Sequence, residues 1–409
     1  MVKKIISAIL ISALCLSAVS CGDSSQTASD PSKTTITIAA RDGSHADVIN
    51  AVKESFEKAN NCSVNVIPLS GDDIHSNIIA DSANETGEYD VIMIDDPLMP
   101  EYIEKRILRN LTQMGYTDDE DFVEKSRLLG KDPYPLGATY ALPFSGNVQL
   151  IFYNSSLVGQ NTDFTNWDSI LQTAKAVNAS GKNGYAIRGQ TGNPIVSDFL
   201  PILWAFGGDL FNSSQKVVLN SPESRAALEF YCELYKTGEN YEKDELINAV
   251  TSGEAAIALG WPSWFISGSG SSAELAQIPG KINASSEMLP TGEIGNWLLG
   301  VTSNSANAEL SLEFIKYLTS KDVQLEALKH GGIPTRTSVF KDSNVLAEYP
   351  HFDAIYKGSN NSRVRPRTTK WSRIEEVFGA ELVKCINGEQ SVETTIEKSQ
   401  AAIEALASE

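Results

Sequence analysis

From Thr34 onward, two hydrophobic rhythms take turns along the chain. TTITIAA places β-branched residues at near-alternate positions, RDGSHAD interrupts it, and VINAVKESFEKAN spaces its apolar residues at helical intervals. Strand, loop and helix in that order begin a parallel α/β sheet. CSVNVIPL predicts a second strand, GDDIHSNIIADSAN a second helix, and YDVIMID a third strand, apolar almost throughout as doubly buried strands are. PEYIEKRILRNLT predicts a further helix, and TYALPFSGNVQLIFYN a long β-rich segment broken at Pro143 and Gly146. A second α/β series follows: helix WDSILQTAKAVN, strand YAIRG, helix SDFLPILWAFG, helix PESRAALEFYCELYK behind Asn220 and Ser221, and strand AAIALGW. The stretch from Gly295 reads as strand and then helix, stopped by Gly331-Gly332-Ile333-Pro334. From Ser338 the pattern is mostly helical, interrupted by RVRPRTTKW and closed by an amphipathic helix, with no short internal repeat.

Ahead of this body, Lys3 and Lys4 precede an apolar run from Ile5 to Val19. That run is shorter than the roughly twenty residues a spanning helix needs, and its basic start and small-residue end describe a secretory signal. Ala18-Val19-Ser20-Cys21, followed by a small polar tail, resembles the bacterial lipobox, with Ala at 18 where Leu is commonest. The resemblance implies a signal peptide over 1–20 and lipidation of Cys21 (diacylglyceryl thioether and palmitate). Two acyl chains suffice for stable anchoring. The expectation is an extracytoplasmic protein, lipid-anchored to the cell membrane; an ordinary signal peptide with an incidental cysteine is the alternative. Residues 21–34 are small and polar, too poor in apolar surface to fold, and read as a linker.

The length of 409 residues exceeds what a single core usually fills, so two domains are expected. A net charge of −19 without a dense basic cluster argues against a nucleic-acid partner. Cys62, Cys232 and Cys385 remain after the signal, odd in number and widely spaced, which does not indicate a disulfide scaffold. CxxC and HExxH spacings are absent and His45, His75, His330 and His351 are scattered, so neither metal nor other cofactor is expected.

Seven stretches in this order carry a resemblance: YDVIMIDDPLMPEYIEKRILRNLT, ALPFSGNVQLIFYN, NWDSILQTAKAV, RGQTGNPIVSDFLPILWAFGGDLF, LNSPESRAALEFYCELY, SGEAAIALGWPSWF and HGGIPTR. Together they resemble the family 1 extracellular solute-binding proteins of ABC importers, the group that includes the maltose-binding protein. The resemblance implies an α/β, two-lobed periplasmic-binding-protein fold (type II) with the ligand cleft between lobes. Residues 35–143 with 295–332 would form the N-terminal lobe, and 144–294 with 333–409 the C-terminal lobe. It further implies a monomer that captures a carbohydrate, a mono- or oligosaccharide or polyol, and delivers it to ABC permease transmembrane subunits without catalysis. One departure is Arg106-Ile107, where family members often carry Gly before a Leu. A sensing or adhesive lipoprotein using the same cleft is the alternative. A secreted hydrolase is disfavoured because no nucleophile elbow, His-based triad or metal motif is visible.

A cleft that grips a sugar needs flat rings against its C–H faces and ionised or amide groups for its hydroxyls. Ligands of open α/β sheets lie beyond the carboxyl ends of strands. Arg41 and Asp42 follow the first strand, in a loop that could equally be a solvated turn. Asp95 and Asp96 end the third strand, where adjacent carboxylates need partners or solvent, and the resemblance puts a ligand-binding acid there. Asn147 and Gln149 sit at a lobe crossing, either amide facing the cleft or satisfying buried backbone; Arg188 and Gln190 end a second-lobe strand, with Asp198 or Asp209 as competing partners for the arginine. Trp261 and Trp264 follow the strand AAIALG, where the maltose-binding protein presents stacking rings on a similar turn. Trp297 stands at the return to the first lobe, and Trp371 in TTKWSRIEE resembles another aromatic position of the family. Trp167 is expected to pack inward, and Trp204 fits either role. Arg336, in the PTR landmark, would reach the sugar from the last crossover. With Arg188 it would also serve an acidic sugar or a sugar phosphate.

Overall fold

The computed structural model describes residues 33–159, 162–265, 273–282, 288–289 and 291–409. The expected signal segment and Cys21 lie outside these residues. In the first half, β1 (Thr34–Arg41), β2 (Cys62–Leu69) and β3 (Val91–Asp95) precede a small pair, β4 (Lys131–Asp132) and β5 (Ala138–Thr139), and then β6 (Ala141–Ser145). Next come β7 (Leu150–Asn154), β8 (Asn183–Ile187), β9 (Glu239–Asn240), β10 (Ala255–Gly260) and β11 (Ala273–Ala276). A second small pair, β12 (Lys281–Ile282) and β13 (Met288–Leu289), precedes β14 (Trp297–Val301).

Two five-stranded sheets result, in the orders β2-β1-β3-β14-β6 and β11-β7-β10-β8-β9. In the first, β1 is parallel to β2 and β3, and β14 runs antiparallel between β3 and β6, opposing Trp297 to Asp95. In the second, β8 is parallel to β9 and β10, with β7 antiparallel to β10. Each sheet is covered by helices whose apolar stripes face it. Helix Ser44–Asn60 buries Val48, Ile49, Val52 and Phe56, and Phe56 meets Phe314 at 4.9 Å between ring centroids. Each such side chain contributes about 1.5–3 kcal/mol through burial. One core joins residues of β1, β3 and β14 to helix Ala308–Leu318, and a second joins β8 and β10 to helices Asn193–Ala205 and Trp371–Ile386.

Three chain segments pass side by side between the sheets. The Gly146 amide donates to the Ile333 carbonyl at 3.1 Å, while the Asn147 carbonyl accepts from the Gly295 amide at 3.1 Å and from Asn296 Nδ2 at 2.9 Å. A Cβ on Gly146 would collide with the Pro334 carbonyl, so glycine is needed for this approach. The first of these segments follows Ser145, where β6 ends.

Two local expectations change. The helix expected through PEYIEKRILRNLT stops at Glu104, because the Ile107 amide turns back to the Tyr102 carbonyl at 2.9 Å and Arg106 takes a left-handed φ of 57°. That is the backbone state glycine adopts at helix ends. The helix Lys243–Ser252 had no counterpart in the sequence reading; reciprocal bonds between Glu242 and Glu245 cap it. Cys232 and Cys385, far apart in sequence, place their sulfurs 3.7 Å from each other. Among the described residues no helix is long and apolar enough to cross a membrane.

Candidate ligand-binding cleft

The carboxyl ends of β1, β2 and β3 and those of β8, β9 and β10 face one another across a cleft of about 390 Å³. Side chains immediately after a strand emerge at that end of the sheet, which is why residues distant in sequence converge here. Arg41, Asp95, Asn147, Arg188, Gln190, Trp261, Trp264 and Trp297 all line it. Asp42 lies in a side branch of about 230 Å³ that shares Arg41, Lys243, Ser263 and Trp264 with the main cleft.

Trp261 and Trp264 sit on the short turn after β10, with partly exposed rings. A Cβ on Gly295 would strike the Trp261 ring, so this glycine gives the indole its seat. The Arg188 guanidinium lies over the Trp264 ring at 4.7 Å. Neither competing acid forms a hydrogen bond with it: Asp198 acts on it through charge while accepting from the Tyr231 hydroxyl at 2.9 Å, and Asp209 pairs with Arg363 at 2.6 Å. Trp297 packs against His45 at 5.7 Å from the opposite wall. Asn147 reconciles its two expected roles, lining the cleft while its side chain donates to Ser263 Oγ at 2.9 Å and accepts from the Ser263 amide at 3.2 Å. Gln190 donates to Asn240 Oδ1 at 3.0 Å and to the Tyr241 carbonyl at 2.8 Å.

Three expected residues point elsewhere. The Asp96 side chain is fully buried, turned inward to Arg365 at 2.9 Å. Arg336 is committed to Asp119 at 2.7 Å, Asp121 at 3.1 Å and the Thr319 carbonyl at 2.6 Å, with its guanidinium over Phe122 at 4.3 Å. A buried guanidinium stays charged by taking such partners, and here they pin the last crossover rather than a solute. Trp371 opens its helix with 1% exposure and packs into the second core. Trp167 packs inward as expected, edge-on to Phe230 at 6.0 Å, and Trp204 is buried, its Nε1 donating to Asp209 at 3.3 Å.

The floor holds groups that the sequence reading did not single out. Arg365, 2% exposed, binds Asp95 through contacts of 2.5 and 3.3 Å and Asp96 at 2.9 Å, with Glu293 at 3.8 Å. Burial opposes its charge, but these carboxylates and Glu375 hold its pKa well above the usual arginine value. Burial pushes Asp96 up to about 6, against the pull of Arg365, and Glu375 up to about 7, although Asn193 donates to Glu375 at 2.7 Å. Glu293 is raised well above the ordinary value, again chiefly by burial. On the other wall, His75 stacks on Tyr102 at 5.5 Å and bonds its hydroxyl at 2.9 Å; burial lowers the imidazole pKa. Arg365 was visible only as part of an arginine-proline run between helices. Three arginines within five residues, without a local acid, would have been the signal. Lys243 had none, because the strand before it, β9, is two residues long.

Rings on both walls with ionic donors between them can hold a polyhydroxylated solute. Residues 51–354 match the family described as Bacterial extracellular solute-binding protein. Over 267 residues the chain is 26% identical to a probable ABC transporter-binding protein of Deinococcus radiodurans, spanning 60% of this chain and 62% of that protein, under two thirds of its length. Among solved structures, it is similar to the maltose-bound MalE3 protein of T. maritima, with a TM-score of 0.82, 25% identity and coverage of 91% of this chain and 100% of that one. An ABC transporter solute-binding protein of Thermotoga lettingae bound with α-D-tagatose gives 0.79 and 23%, covering 91% and 100%. With the match extending over most of its length, the chain belongs to the bacterial extracellular solute-binding protein family.

Proposed function

We propose that this protein is the substrate-binding component of an ABC importer, that its solute is a carbohydrate, and that closure of the two lobes on that solute presents it to permease subunits in the membrane. The observation that carries this reading is the cleft itself: Trp261, Trp264 and Trp297 meet Arg41, Asp95 and Arg188 at the strand ends of both sheets. Maltose in one structural relative and tagatose in another support a saccharide. A solute touching both walls stabilises the closed state by its differential affinity, and no bond is made or broken in the cycle. The side-by-side crossings at Gly146, Gly295 and Ile333 are the hinge in this reading. Lipidation at Cys21 would hold the monomeric protein at the outer face of the cell membrane.

The test is a thermal-shift screen of the chain from residue 33 against neutral and acidic sugars and polyols, followed by calorimetry and X-ray scattering on the hits. A saccharide that raises the melting temperature and reduces the radius of gyration is expected. An unchanged radius at saturation would remove lobe closure, and a panel without a single binder would remove the carbohydrate.

A further inference from the structure

Charge in the cleft is sorted into two ends. At one end Asp95, which lines the cleft, and the buried carboxylates of Asp96 and Glu293 behind it surround Arg365. At the other, three cations converge from different elements. Arg41 ends β1 in the first lobe, Arg188 follows β8, and Lys243 opens helix Lys243–Ser252 in the second.

These cations interact across the gap between the lobes. Burial lowers the Lys243 pKa and Arg41 and Arg188 lower it further; the Arg188 pKa is also lowered, by burial first and against the opposing charges of Asp198, Glu242 and Glu293, with Arg41 contributing. His45, beside them, is held down to about 3 by burial, then by Arg41 and Lys243. Their acidic neighbours only partly offset this. Asp42 contacts Arg41, and Asp244 stands 3.8 Å from Lys243, but these side chains are 46% and 87% exposed and turned toward water. Glu242 also lines the cleft, as an exposed residue. Arg188 Nε is buried and has no hydrogen-bond partner among the described residues, although buried guanidinium donors are normally satisfied. The side branch opens where these groups meet. It is bordered by the start of the 17-residue helix Ser44–Asn60, whose cap residue Gly43 offers no side-chain acceptor. A long helix beginning there adds positive potential.

We propose that the solute is a saccharide carrying an anionic group, a carboxylate or a phosphate, which bridges Arg41 of the first lobe and Arg188 and Lys243 of the second. This rests on the carbohydrate reading above and narrows it. Like charges on facing lobes resist their approach, so an anion between them removes a barrier to closure as well as adding charge-assisted bonds. The Trp264 ring, already under Arg188, would place the sugar face next to that charge. Arg336 has no part in this site, because Asp119 and Asp121 hold it elsewhere.

The experiment compares matched sets by calorimetry on the chain from residue 33: each neutral hexose or disaccharide, its uronic acid and its sugar phosphate. At least one acidic member should bind tenfold or more tighter than its neutral counterpart, and the better of the two acidic arms identifies carboxylate or phosphate. Arg188→Gln should reduce that preference at least tenfold with an unchanged urea midpoint. Should that variant lose stability, Lys243→Gln, at a half-exposed position, carries the same comparison. If neutral sugars bind as well as or better than their acids, or if both variants keep the preference, the anionic solute is wrong while the carbohydrate reading stands. If no arm binds, both fall.

Discussion

Replacing Arg365 by methionine tests the electrostatics of the cleft floor directly. One guanidinium, 2% exposed, serves Asp95 at 2.5 Å and Asp96 at 2.9 Å and lies 3.8 Å from Glu293. Each pair supplies about 4–7 kcal/mol of attraction at an effective dielectric near 20, much of it offset by the desolvation of the ions. Removing the cation alone keeps the desolvation and discards the attraction, a loss of about 3–5 kcal/mol for a broken buried pair. Methionine fills the space flexibly and provides no donor. The sign with pH follows from Asp96, raised to about 6 by burial even with Arg365 in place, and raised further without it. An acid whose folded pKa is raised confers stability below its unfolded pKa and loses it as pH rises through the folded value. The deficit of the variant is therefore largest near pH 8 and shrinks toward pH 5, where Asp96 is protonated in both proteins. Urea unfolding followed by tryptophan fluorescence at the two pH values measures it. Adding Asp96→Asn to Arg365→Met should restore part of the loss, with a coupling of about 1–3 kcal/mol. A deficit below about 1 kcal/mol at pH 8, the range of exposed pairs, or one equal at both pH values, would refute the reasoning.

Trp261→Ala should weaken solute binding tenfold or more, since burying a large apolar side chain contributes about 1.5–3 kcal/mol; unchanged affinity in calorimetry would take this ring out of the site. Gly295→Ala, which displaces the same ring, should weaken binding in the same direction. Asp198, 2% exposed and raised to about 7 by burial, should make Asp198→Asn more stable than the parent near pH 8, by up to about 4 kcal/mol, and nearly equal near pH 4. Thermal melts at both pH values decide it. Arg106→Gly relieves a left-handed φ of 57°, so a gain of about 0.5–1 kcal/mol is expected in urea titration once glycine's greater unfolded-state freedom is counted. The bond from Cys232 holds the Cys385 thiol down to about 7, at a sulfur separation of 3.7 Å. A mild disulfide oxidant such as diamide should therefore consume both thiols at pH 8, and thiol titration in denaturant that still finds Cys62, Cys232 and Cys385 reactive would contradict this.

Local pattern by itself determined the alternating strands and helices, and with them which residues stand directly after a strand. That is why Arg41, Asp95, Arg188, Trp261 and Trp264 could be named: leaving a parallel strand at its carboxyl end is a property of a few consecutive residues, and the topology brings all such ends to one place. Burial and partnership of charge are properties of distant segments. Asp96 is adjacent to Asp95 in the chain, yet only Arg365, 269 positions away, decides that one carboxylate reaches the cleft and the other the interior. Arg336 and Trp371 were likewise withdrawn by Asp119, Asp121 and a second-lobe core that no nearby sequence announces. Lys243 entered because the fold carried the start of its helix to the same rim. Coulombic and packing terms act through space, so the sequence could propose the cleft's walls while only the tertiary structure could distribute their charge.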